Sequence, residues 1–187
     1  MAASGLRFVS IRATEGTTYK DPTFAFNWQG AHAAGMFRTA YHFAHPNLPA
    51  AAQADFFVDT VAAAGGFAAG TNTTQFMLDL ENANGLAPPA VWAWVQAFMA
   101  QLKARTGRPG IIYVGFFFWR DSVGNPASNL DAPLWIASYT AAPSGPSAWP
   151  FWTFWQYNDN GVIPGIKART DVDLFAGDES ELLRLCF

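Results

Sequence analysis

The sequence predicts an α/β fold arranged as one barrel-like domain over residues 1–187. Short β-rich runs alternate with helical stretches. The helices then give out, and strands follow one another across loops towards the C terminus. No internal repeat or linker divides the 187 residues. Strands separated by helices imply parallel pairing through right-handed crossovers.

The elements follow in order. Arg7 to Thr14 (RFVSIRAT) reads as a strand ending in the polar turn Glu15–Gly16–Thr17. Phe24 to Gly35 places Phe24, Trp28 and Ala31 on one helical face and stops at glycine, a common helix terminator. Phe37 to Ala44 is the second strand, closed by Pro46. Pro49 to Ala64 is a helix with Phe56, Val58 and Val61 among alanines, ending at Gly65–Gly66. Gln75 to Glu81 (QFMLDLE) is the third strand. Pro88 to Arg105 begins with two prolines and carries Val91, Trp92, Val95, Phe98, Met99 and Leu102 at helical spacing. Gly110 to Gly115, Pro133 to Tyr139, Phe151 to Tyr157 and the short Thr170 to Phe175 complete the strands. A last helix spans about Asp178 to Leu185, and Ala141 to Pro150 is a surface loop.

Composition narrows the function. At 51% hydrophobic and 13% charged, the chain has the makings of a packed core. A net charge of −3 gives no pull towards a phosphate backbone, so nucleic acid is not an expected partner. Cys186 is the single cysteine and has no partner for an internal disulfide. The opening MAASGLRFVS lacks a basic start followed by an apolar stretch, so no signal peptide is read there. No window reaches the roughly 18 apolar residues of a membrane span, and membrane insertion is not expected. The chain holds 17 Phe and 8 Trp. Most must fill the core, while others could line a groove that stacks on sugar faces.

The chemistry is sought first in QFMLDLE. Asp79 and Glu81 are two apart on a strand, so both point to one face, about 6.6 Å apart along the backbone. They end the run, where parallel α/β barrels build their sites. Two acids in one pocket push each other's pKa values apart, leaving one protonated donor and one anion, as glycosidic bond cleavage requires. The plainer alternative is a pair of strand-end acids that cap a helix or meet an arginine. Against it stands the apolar run leading to them, since a buried strand seldom carries acids without a partner or a task. Asp171 and Asp173 form a second pair, which matters only if the fold returns it to the same mouth. Neither G-x-S-x-G nor H-E-x-x-H occurs, and His32, His42 and His45 lack zinc-site spacing. His42 reads as a hydrogen-bonded strand-end histidine.

Seven ordered motifs, IRATEGTTYKDPTF (11–24), AYHFAHP (40–46), LDLE (78–81), RTGRPGIIY (105–113), PLWIASY (133–139), FWQY (154–157) and DVDLF (171–175), together resemble glycoside hydrolase family 25, the Chalaropsis-type muramidases. The resemblance implies an irregular TIM-like barrel of roughly five β/α units followed by strands. It also implies cleavage of the β-1,4 bond between N-acetylmuramic acid and N-acetylglucosamine in peptidoglycan, without a metal or organic cofactor. By that resemblance Glu81 matches the general acid, Asp79 its acidic neighbour and Asp171 the acid of the last strand. Tyr41, Tyr113, Trp135, Trp155 and Gln156 match positions that line the sugar groove. The chain departs from the family at the front, where an initial strand carrying a G-x-D-V-S-x-W-Q-like motif and a further active-site Asp is missing. A barrel short of that strand exposes two unpaired edges, open to pairing with another segment or chain. The implied place of action is outside the membrane, at the cell wall. Two other functions compete with the muramidase: a non-catalytic module that binds cell-wall glycan, and a metal-dependent phosphodiesterase using Asp79, Glu81 and Asp171 as oxygen ligands.

Overall fold

The computed structural model describes residues 5–187; the first four, part of the stretch read for a leader, lie outside the described residues. Its backbone is one eight-stranded sheet curled as a half-barrel, in the order β2-β1-β3-β4-β5-β6-β7-β8. The strands are β1 (Phe8–Glu15), β2 (Tyr19–Lys20), β3 (Phe37–Phe43), β4 (Met77–Asp79), β5 (Ile111–Gly115), β6 (Leu134–Ala137), β7 (Phe154–Gly161) and β8 (Thr170–Phe175). From β1 through β7, leaving aside the tiny β2, neighbours pair in parallel, and only β8 returns antiparallel to β7. Helices α1 (Phe24–Ala33), α2 (Ala50–Ala63) and α3 (Pro88–Thr106) make the early crossovers. Two short helices follow, α4 (Phe116–Ser122) and α5 (Glu179–Arg184).

Strand alternation sorts the side chains into two layers. Facing the helices are Ala40, Leu78, Leu80, Ile112, Val114 and Ile136, part of one large apolar cluster with Trp28, Phe57 and Phe98. Inside the curl lie Phe8, Phe37, Met77, Ile111, Tyr113, Trp135 and Phe154, with Trp135 and Phe154 stacked at 4.2 Å. Two helical faces differ from the spacing reading. On α2 the buried ring is Phe57 rather than Phe56, and on α3 Trp94 is buried while Trp92 sits at the margin against Trp119. Pro88 starts α3 and Gly107, at φ 75°, ends it in the left-handed conformation that favours glycine.

Other differences have local causes. The expected strand over Gln75–Glu81 pairs as β4 only from Met77 to Asp79, because Glu81 rises past the edge of the parallel ladder. The run FFFWRDS forms α4, which its aromatic composition hides. The tail of β1 folds back as a two-residue hairpin arm, with Thr14 opposite Lys20. The outer edge of β1 from Phe8 to Ala13 and that of β8 have no strand partner among the described residues, so the sheet stays open as the resemblance leads one to expect.

His42 shows how the outer layer is fixed. Gln53 Nε2 donates to the carbonyls of His45 and Leu48, which leaves its Oε1 as acceptor. His42 Nε2 therefore carries the proton and donates to that oxygen at 2.9 Å, while Nδ1 accepts from the Thr14 hydroxyl at 2.8 Å. The ring is fully buried, and burial pulls its pKa down to about 4 from 6.5. The folded state thus prefers neutral His42. Its contribution is complete above pH 6.5 and is lost as pH falls through 4. The 2.5-unit shift corresponds to about 3 kcal/mol. Urea unfolding of the wild type and His42→Gln between pH 7 and pH 4 checks this. The stability gap between them should narrow by that order as pH falls, and a gap independent of pH would contradict the assignment.

Candidate active site

The inner face of the sheet opens into a cleft of about 1130 Å³. Its walls include the unpaired edges of β1 and β8, with Val9 and Ile11 on one side and Val172 on the other. Of the eight residues singled out in the sequence, seven line it: Tyr41, Asp79, Glu81, Tyr113, Trp135, Gln156 and Asp171. Trp155 does not. It follows the opposite parity to Gln156, packs with Trp152 and Tyr157, and donates its indole N–H to the Ser138 carbonyl at 2.6 Å. Trp135 is buried at the floor rather than presented as a stacking wall.

Asp79 ends β4 between Phe43 of β3 and Tyr113 of β5. The backbone keeps the strand's alternation for two more residues. The Asp79 carbonyl accepts from Ala44, and Leu80 N–H donates to the Tyr113 carbonyl. Leu80 consequently packs outward, fully buried, and Glu81 comes back to the cleft. Asp79 is only 7% exposed and Glu81 stands at the solvent side. Burial, above all, holds the Asp79 carboxyl well above the usual carboxylate range. The charge of Glu81, a hydrogen bond shared with it, and Asp171 push the same way against Arg12. The protonated form of Asp79 is therefore favoured.

The second acid pair does return to this mouth. On β8, Asp171 and Asp173 face inward, and Asp173 lies opposite Gln156 in the ladder. Trp135 Nε1 donates to Asp173 Oδ1 at 2.8 Å. Burial pushes Asp173 up to about 7, with Trp135 opposing and Asp171 adding to the rise. Asp171 is also raised, by burial and by Asp159. Burial and the surrounding acids hold Tyr41 and Tyr113 far above the ordinary phenol range, so both keep their hydroxyl protons.

Two cleft features escaped the sequence reading. Arg12 points inward from β1, its guanidinium 3.5 Å from Asp21, 3.6 Å from Glu15 and over the Tyr19 ring. The signal was its parity with Phe8 and Ser10 on the strand. Tyr139, just past the end of β6 in PLWIASY, donates to Gln156 Oε1 of β7 at 2.6 Å, a contact that no local pattern announces. Among the described residues no cluster of three or more His, Cys, Asp and Glu is arranged to hold a metal ion.

The arrangement has close counterparts. The family model described as "Glycosyl hydrolases family 25" matches residues 1–166. "Lysozyme M1" of Streptomyces globisporus is 37% identical over 192 residues, covering 98% of this chain and 64% of that protein. The "N,O-diacetylmuramidase" of Chalaropsis sp is 38% identical over 170 residues, covering 84% of this chain and 79% of that one. Among solved structures, a bacterial lysozyme from Streptomyces coelicolor superposes with a TM-score of 0.91 at 36% identity, over 98% of this chain and 88% of the other.

Asp173 yields a stability prediction of opposite sign to that for His42. Its folded pKa is raised from 3.8 to about 7, so its contribution is complete below pH 3.8 and is lost as pH rises through 7. The loss is on the order of 4 kcal/mol. Asp173→Asn keeps an acceptor for Trp135 but cannot ionise. Its denaturant midpoint relative to wild type should rise steadily from pH 4 to pH 8. A constant offset would show that Asp173 ionises freely.

Proposed function

The chain belongs to glycosyl hydrolase family 25, and from that premise we propose that it is a muramidase, hydrolysing the β-1,4 bond between N-acetylmuramic acid and N-acetylglucosamine in peptidoglycan. The observation that carries this reading is the Asp79–Glu81 pair set together in a cleft of sugar size, with burial holding the Asp79 carboxyl well above the usual carboxylate range. The chain spans 64% of the length of the Streptomyces globisporus lysozyme, so the activity proposed is that of this segment.

Glycoside hydrolysis needs a proton for the leaving oxygen and negative charge beside the anomeric carbon. In this reading Glu81, the solvent-side member, gives the proton to the glycosidic oxygen and draws on the one held by Asp79. The anion then left on Asp79 steadies the positive charge developing at the anomeric carbon until a water molecule adds there and its proton returns to the carboxyl pair. Asp171 adds charge from the facing strand. Tyr41, fixed as a neutral donor, holds a sugar oxygen, Tyr113 gives its proton to Gln156, and Trp135 braces the floor through Asp173. The partner is the glycan strand of the cell wall, and the place of action is therefore outside the membrane. No helix among the described residues is long and apolar enough to cross one.

Release of reducing ends from a peptidoglycan suspension measures the claim. The wild type should turn over undiminished in the presence of a chelator. Glu81→Gln should lower the rate by about 10²- to 10⁴-fold, the range associated with a positioned proton donor. Full turnover by Glu81→Gln would overturn the proposal. Binding of glycan with no new reducing ends in the wild type would favour a wall-binding module instead.

A further inference from the structure

Gln156 is a neutral amide of the cleft, and the inference about it rests on the glycan-cleaving reading of the same site. Gln156 faces inward from β7 between Ala137 and Asp173 and is 6% exposed. Its Oε1 accepts two phenolic protons, from Tyr113 at 2.9 Å and from Tyr139 at 2.6 Å. A carbonyl oxygen has two lone pairs, and both are taken. With Oε1 taken by the two phenolic protons, the amide is turned so that its N–H groups point away from Tyr113 and Tyr139. Nε2 is thereby left with two N–H donors, and no hydrogen bond of the described residues engages them.

The groups around it are of the other kind. Asp79, Glu81, Asp171 and Asp173 offer carboxyl oxygens, and the Arg12 guanidinium is engaged by Glu15 and Asp21. The cleft thus sets these carboxyl acceptors beside an uncharged amide whose N–H groups are unengaged. An acetamido group presents the matching pair, an N–H for a carboxylate and a carbonyl oxygen for an amide. That oxygen stands two bonds further from the sugar ring than a hydroxyl at the same carbon does.

We infer that Gln156, oriented by Tyr113 and Tyr139, is a specificity residue that donates a hydrogen bond to the carbonyl oxygen of an N-acetyl group on the bound glycan. The tyrosines act through it, as positioning residues. A site built around a donor for one oxygen discriminates against sugars that lack it, because the buried donor is then left without a partner.

The test compares two neutral β-1,4-linked trisaccharides, tri-N-acetylchitotriose and cellotriose, by titration of tryptophan fluorescence. The wild type should prefer the acetylated sugar. In Gln156→Glu the carboxylate still accepts from both phenols but has no N–H, and the preference should fall by about tenfold with cellotriose affinity little changed. Tyr139→Phe, a change at a half-exposed ring, frees one lone pair and should lower the preference by about threefold. Equal losses for both sugars would reduce Gln156 to a structural support of the cleft. An unchanged preference in Gln156→Glu, or a wild type that binds neither sugar, would overturn the inference. A wild type that discriminates between the sugars yet cleaves no peptidoglycan would sink the muramidase reading and leave this one standing.

Discussion

A carboxyl buried at the end of a central strand is held in its protonated form beside a second, solvent-side acid, and the rest of the site is arranged around that constraint. β4 is one of the two central strands of the sheet and brings no polar side chain other than Asp79. Removing Asp79 from water while Glu81 and Asp171 stand close makes a charge there expensive, so the protonated form is favoured. The same burial that would penalise an idle acid creates a proton store within reach of a solvent-side partner. Such pairs, pushed apart by environment, are how carboxylates divide acid and base roles.

The frame holding the pair is hydrogen-bonded throughout its outer layer. His42 ties β1, through Thr14, to the start of α2, through Gln53, directly behind the strand that flanks Asp79. Arg38 is buried, its guanidinium 4.0 Å over the Trp28 ring and donating to the Trp28 carbonyl and Thr73. It locks α1 to β3 without a carboxylate. On the far side, Arg108 donates to the carbonyls of Arg184 and Cys186, which holds the C-terminal segment under the sheet. These ties are independent of the cleft. They fix strand register, and register decides which side chains reach the mouth.

Much of this was legible in the sequence because period-two and period-four patterns report burial directly. QFMLDLE announced a strand ending in two same-face acids, and the fold keeps that parity even where the ladder stops at Asp79. Phe24, Trp28 and Ala31 marked the buried face of α1 correctly. What stayed hidden depends on contacts distant in sequence. The bond from Tyr139 to Gln156 spans 17 residues and that from Trp135 to Asp173 spans 38. The family resemblance sets Trp155 in the groove, whereas its parity on β7, opposite to that of Gln156, sends it to the outer layer. FFFWRDS concealed α4 because its rings suit a strand as well as a helix.

The proton on Asp79 is open to direct observation. Carbon-13 labelling of aspartate carboxyls and an NMR titration of the whole chain would follow Asp79 as pH is raised, in the wild type and in Glu81→Gln. The account predicts an Asp79 carboxyl that stays protonated well above the ordinary aspartate value of 3.8. Removing the neighbouring charge should bring it part of the way down, with burial keeping the remainder. An Asp79 that ionises near 3.8 in both proteins would contradict the protonated carboxyl and the chemistry built on it.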